Sequence, residues 1–134
     1  MNDPFRILIT DRNRHVREFL EREFRDAGYQ TQVAKDGQEL LALMEAEKPP
    51  DLLILDLEMP HGDGLEILQR VQTRLPPLPV VIHAFLAEHS NQAALDKVAA
   101  LVEKEGDTNC LKTTVREVLR KHYPSRFEGM PESG

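Results

Sequence analysis

Three polar residues stand just past apolar runs, and their types suit joint chemistry. Asp11 follows Ile7-Leu8-Ile9-Thr10, Asp56 follows Leu52-Leu53-Ile54-Leu55, and Lys104 comes shortly after Leu101-Val102. If those runs are strands of one sheet, the three side chains meet at one edge. Two carboxylates beside a lysine are costly unless compensated, since like charges raise a carboxylate pKa while a nearby cation lowers it. Such a cluster fits phosphoryl transfer or a Mg²⁺ site. Mg²⁺ takes carboxylate and carbonyl oxygens, and a carboxylate can act as a phosphate-accepting nucleophile.

The elements that would position these residues alternate along the chain. Ile7-Leu8-Ile9 is a first strand, and Val16, Phe19, Leu20, Phe24 and Ala27 place one apolar face on a helix. Gly28 stands where a helix-ending glycine belongs. Tyr29 to Ala34 is a second strand, and Asp36-Gly37 marks a turn. Leu40, Leu41, Leu43 and Met44 make a second helix before Pro49-Pro50. After Leu52–Leu55 come a loop and a third helix, carried by Leu65, Ile67, Leu68, Val71 and Leu75. Val80-Val81-Ile82 is a fourth strand, about Ser90 to Val98 a short helix, and Leu101-Val102 a fifth strand. Leu111, Val115, Val118 and Leu119 line a final helix, with Asp107 or Thr108 as its cap.

This order is β-α repeated five times. Strands that are apolar throughout are buried on both faces. Right-handed crossovers then give a parallel sheet covered by helices on both sides, with a site beyond the C-terminal strand ends. Residues 4–123 read as one domain, and 124–134 as a loose tail or the start of a linker.

Composition narrows the classes. A 40% apolar and 30% charged chain of 134 residues suits one globular domain. A net charge of −6, with scattered basic residues, argues against direct nucleic-acid binding. Cys110 is the single cysteine, so no internal disulfide is available, and a structural thiol in a reducing compartment is expected. No segment reaches membrane-spanning length and no signal-peptide pattern opens the chain, so a cytoplasmic location and no membrane partner are expected.

The loop after Asp56 reads Asp56-x-x-Met59-Pro60-x-x-Asp63-Gly64. Pro60 fixes its φ, Gly62 and Gly64 allow unusual dihedrals, and Asp63 suits a helix cap. This run resembles the D-x-x-M-P-x-x-D-G signature of the receiver domains of two-component response regulators. The resemblance extends over residues 5 to about 122 and includes the strand before Asp11, Asp36-Gly37 and Lys104. It implies a flavodoxin-like doubly wound (βα)5 fold, a five-stranded parallel sheet of order 2-1-3-4-5. It also implies that Asp56 accepts a phosphoryl group from a histidine kinase or histidine phosphotransfer protein. Lys104 would contact the phosphate, and Asp11, Asp56 and the Glu58 carbonyl would ligate Mg²⁺. The domain would signal to a downstream protein target by contact, as a phosphoacceptor rather than an enzyme.

Four positions depart from the family pattern. Arg12 stands where a second acid ordinarily binds the metal, which weakens the expected Mg²⁺ site. Ala84 lacks the hydroxyl expected at the end of the fourth strand, Leu101 replaces the aromatic switch residue, and Glu105 replaces the proline after the lysine. Arg12 has two expected placements, with its guanidinium near Asp56 or solvated away from the site. Phe85 is a candidate substitute in switching, and more simply a partly exposed packing residue. These departures keep open an alternative, a pseudo-receiver that is not phosphorylated and acts as a protein-binding module. A dehalogenase-type phosphatase fits less well, because Glu58 stands where its second Asp belongs. His83 reads as a hydrogen-bonded core or edge histidine, His61 as a loop residue, and His15, His89 and His122 form no metal-spaced set.

Overall fold

A computed structural model describes residues 4–58, 64–74, 77–85, 98–104 and 108–128. The strands are β1 (Arg6–Thr10), β2 (Gln30–Ala34), β3 (Leu52–Leu55), β4 (Val80–Ala84) and β5 (Ala100–Glu103). The helices are α1 (Arg14–Asp26), α2 (Gly37–Met44), α3 (Gly64–Gln72), α4 (Thr108–His122) and α5 (Pro124–Glu128). The strands form one parallel sheet in the order β2-β1-β3-β4-β5, as the family resemblance implies. The short helix expected near Ser90 to Val98 lies outside the described residues apart from Val98 itself.

Side-chain alternation builds two cores. Leu8, Leu53, Leu55, Val80 and Ile82 face α2 and α3, against Leu40, Met44, Ile67, Leu68 and Val71. Ile7, Ile9, Leu52, Ile54, Val81 and Val102 face α1 and α4, against Leu20, Phe24, Leu111, Val115 and Leu119. Each fully buried Leu, Ile or Phe contributes roughly 1.5–3 kcal/mol of burial free energy. Both central strands, β3 and β4, are buried throughout, as continuous apolar runs require.

Helix ends follow local chemistry. The Asn13 carboxamide oxygen accepts from His15 N at 2.8 Å and Val16 N at 3.3 Å, which caps α1. Gly28, at φ +100°, takes the left-handed turn after α1 that a Cβ would strain. Asp36 caps α2 by accepting from Glu39 N at 2.9 Å.

Three expectations are corrected. Phe19 is 45% exposed. The stripe of α1 that faces the sheet is Val16, Leu20 and Phe24, spaced four residues apart, and Phe19 sits about 100° around the helix from Leu20. Cys110 is exposed on α4 and is not a packed structural thiol. Tyr123 to Glu128 are not loose. Pro124–Glu128 is helical, the Tyr123 hydroxyl donates to the Asp51 carbonyl at 2.8 Å, and Arg126 pairs with the Asp51 carboxylate at 2.7 and 3.2 Å.

Candidate phosphoacceptor site

Parallel strands end together, so Thr10, Asp56, Ala84 and Lys104 share one edge of the sheet. The strand order reverses at β1 and β3, where doubly wound sheets place their crevice. Asp11 and Asp56 flank that point and are almost fully buried, at 0% and 1% exposure. The Lys104 ammonium meets both, 3.0 Å from Asp11 Oδ2 and 3.2 Å from Asp56 Oδ2. The three residues singled out by their place after apolar runs therefore converge.

Backbone donors fix the two carboxylates. Asp56 Oδ2 accepts from Arg12 N at 3.0 Å, and Asp56 Oδ1 from Glu58 N at 3.1 Å. Asp11 Oδ1 accepts from Asn13 N at 2.8 Å, and the Asp11 carbonyl from the Arg17 guanidinium at 2.8 Å. Beneath them lies Thr10, which sequence reasoning did not single out. Its hydroxyl donates to the Ile54 carbonyl at 3.0 Å and accepts from Asp56 N at 3.0 Å. The only sequence signal was a hydroxyl residue closing an otherwise apolar run.

The atypical positions take definite places. Arg12 meets neither expectation fully. Its backbone touches Asp56, while its guanidinium pairs with the Glu58 carboxylate. Ala84 is buried at the end of β4, with no hydroxyl to offer. Leu101 is 44% exposed on the edge strand. Phe85 is half-buried, and its ring centroid is 5.7 Å from the Lys104 ammonium. Glu105 and the turn residues Met59, Pro60 and Asp63 lie outside the described residues, while Gly64 opens α3.

His83 is buried on β4, but its Nδ1 has no hydrogen-bond partner, against the expectation of a hydrogen-bonded histidine. Burial, and then the Lys104 charge, hold its pKa below the usual 6.5.

Asp11 Oδ2 is buried with no hydrogen bond of good geometry; Lys104 meets it through charge at 3.0 Å. That leaves a carboxylate lone pair available beside Asp56. Two carboxylates and a backbone carbonyl suit Mg²⁺, with water completing the shell. Among the described residues no group of three His, Cys, Asp or Glu side chains is placed to hold a metal. A Mg²⁺ ion would rely on Asp11, Asp56 and a backbone carbonyl, one carboxylate fewer than a tighter site would use.

A doubly wound parallel sheet with two buried carboxylates and a lysine at its switch point defines the class, an α/β domain of flavodoxin-like fold. The chain belongs to the response regulator receiver domain family, whose model matches residues 7–121. It is 39% identical over 79 residues to the response regulator MprA of Mycolicibacterium vanbaalenii, covering 59% of this chain and 34% of that protein. The chain thus matches about a third of the length of such curated relatives. The response regulator TrrA of Thermotoga maritima, solved with Mg²⁺ and a beryllium fluoride, matches at TM-score 0.79 and 27% identity, over 86% of this chain and 99% of that one. TrrA in complex with the histidine kinase ThkA matches at TM-score 0.77 and 27% identity, over 86% and 98% of the two chains. A receiver domain of Methanospirillum hungatei shares the fold at TM-score 0.81 and 23% identity, over 89% and 96%. The comparisons give the pseudo-receiver alternative no support. Among the described residues, no helix is long and apolar enough to cross a membrane.

Proposed function

We propose that this receiver domain accepts a phosphoryl group on Asp56 from a histidine kinase or histidine phosphotransfer protein in the cytoplasm. It then signals to a downstream protein by contact. The convergence of Lys104 on the two buried carboxylates carries this reading. A carboxylate oxygen of Asp56 attacks phosphorus, the new P–O bond forms, and the P–N bond of phosphohistidine breaks with its electron pair left on the imidazole. Lys104 stabilises charge on the arriving phosphoryl oxygens. The Arg12 and Glu58 N–H groups orient the nucleophile, and Asp11 holds Lys104 in place. Asp11, Asp56 and the Glu58 carbonyl would hold Mg²⁺, which when bound neutralises charge on the transferring group.

The test is intact-protein mass after incubation with acetyl phosphate and Mg²⁺, comparing wild type with Asp56→Ala and Lys104→Met. One phosphoryl group gained by wild type, none by Asp56→Ala and a slowed gain by Lys104→Met is the expected result. No gain in wild type, with Mg²⁺ titration also silent, would overturn the proposal.

A further inference from the structure

Asp56 is gripped from two sides. Arg12 N–H holds one carboxylate oxygen and Glu58 N–H holds the other, and the side chains of the same two residues pair with each other. The Arg12 and Glu58 side chains are 43% and 28% exposed, whereas that of Asp56 is 2% exposed. The ion pair is therefore partly open to solvent, while the acceptor is buried. Arg12 thus holds Asp56 through its backbone while its guanidinium is held by a residue that also touches Asp56.

We propose that Arg12 is a phosphoryl-binding residue, held by Glu58 until Asp56 is modified, and that it supplies charge otherwise left to a divalent cation. The inference rests on Asp56 being the acceptor. The competition favours transfer of Arg12. A phosphoryl group carries about −1.5 to −2 charge and three acceptor oxygens, against one negative charge on Glu58. A guanidinium matches phosphate oxygens with two parallel N–H donors. The Glu58 pair is half-exposed, so giving it up costs little.

Two other features fit this role. Ala84 offers the phosphoryl group no hydroxyl, so an oxygen of the adduct lacks a donor from β4. Where Arg12 stands the site carries a cation in place of an acid, so the carboxylates of Asp11, Asp56 and Glu58 face two cations, Lys104 and Arg12. When Arg12 moves, its bond to Glu58 breaks. That exchange is a local switch which needs no hydroxyl on the fourth strand.

The experiment follows Asp56 labelling by acetyl phosphate, in EDTA and in Mg²⁺, by intact mass. Attack by Asp56 expels acetate, so neither donor protein nor cation is needed for balance. Wild type is expected to label in EDTA, more slowly than in Mg²⁺. Arg12→Gln should lose cation-free labelling on the order of 100-fold, the usual cost of one preorganised donor. Arg12→Asp should label only with Mg²⁺, and Glu58→Gln should label faster than wild type in EDTA. As a readout apart from turnover, ¹⁹F NMR should show fluoroberyllate bound to EDTA-treated wild type and not to Arg12→Gln. Labelling of wild type that requires Mg²⁺, or Arg12→Gln that matches wild type in EDTA, would overturn the inference and leave the acceptor intact. No labelling of wild type in either condition would remove the acceptor reading and this inference with it.

Discussion

The hydroxyl of Thr10 accepts a hydrogen bond from the backbone N–H of Asp56 at 3.0 Å, across 46 residues of sequence. The same hydroxyl donates to the Ile54 carbonyl at 3.0 Å, so one buried side chain ties β1 to the end of β3 and to the acceptor that follows it. Thr10 and its neighbours Ile9, Leu53 and Ile54 are fully buried, so a group that loses its partner there is desolvated. Thr10→Val is therefore expected to cost about 1–3 kcal/mol, the penalty for leaving buried groups unsatisfied. Thr10→Ser should recover most of that loss. Urea unfolding of the three proteins decides the matter, and a Thr10→Val variant as stable as wild type would refute the role.

His83 predicts a pH dependence of stability. Burial and the Lys104 charge lower its folded pKa below 6.5, while Asp11, Asp56 and Glu103 pull weakly the other way. Below pH 6.5 the unfolded chain then binds more protons at this residue than the folded one. By linkage, stability rises with pH through that window and is lost as pH falls from 6.5 towards the folded value. The protonated ring would also sit buried beside Lys104. Replacing the ring with an apolar side chain, His83→Leu, should flatten this part of the profile. Thermal melts at pH 7.5 and 5.5 for both proteins measure it, and equal pH slopes would count against the assignment.

Asp51 joins the C-terminal helix to the sheet. Its carboxylate accepts from Arg6 N at 2.9 Å and from Arg126 at 2.7 and 3.2 Å, and its carbonyl accepts from the Tyr123 hydroxyl at 2.8 Å. Arg126 also lies over the rings of Phe5 and Tyr123, at 4.4 and 5.6 Å. Burial, and then the Asp51 charge, push the Tyr123 phenol pKa above its ordinary 10.0. Because the Arg126–Asp51 pair is partly exposed, Asp51→Ala should cost about 1–2 kcal/mol, discounted for screening. Truncation after His122 should destabilise further by uncovering Phe5, now fully buried. Denaturant midpoints of the truncated and full-length chains give the comparison, and identical midpoints would show that α5 contributes nothing.

Legibility in the sequence followed the range of the interactions. The strand β3 was visible because four apolar residues in a row suit burial on both faces, and α4 because Leu111, Val115, Val118 and Leu119 keep helical spacing. The site triad was visible because strand ends in a parallel sheet must meet. Asp51–Arg126, 75 residues apart, and Thr10–Asp56, 46 apart, were not visible, because no local pattern marks which polar groups will pair. Phe19 was misplaced for a related reason. Periodicity gives an apolar sector, while the sheet it packs on decides how wide a stripe is covered.

Arg12 separates the two levels most clearly. The residue types alone determined that a cation occupies a position next to the acidic cluster, where the family resemblance implies a second acid. Tertiary structure decided where that cation goes. Its N–H lies on Asp56 and its guanidinium on Glu58, because the chain reversal after β1 and the turn after β3 bring residues 46 apart within ion-pair distance. The sequence determined the sheet, through runs that only a two-sided burial satisfies. Because β1 and β3 are apolar on both faces, a slip of one residue would bury the same kinds of side chain. Their polar ends, Arg6 with Asp51 and Thr10 with Ile54 and Asp56, bond only in one register, and only the folded chain reveals them.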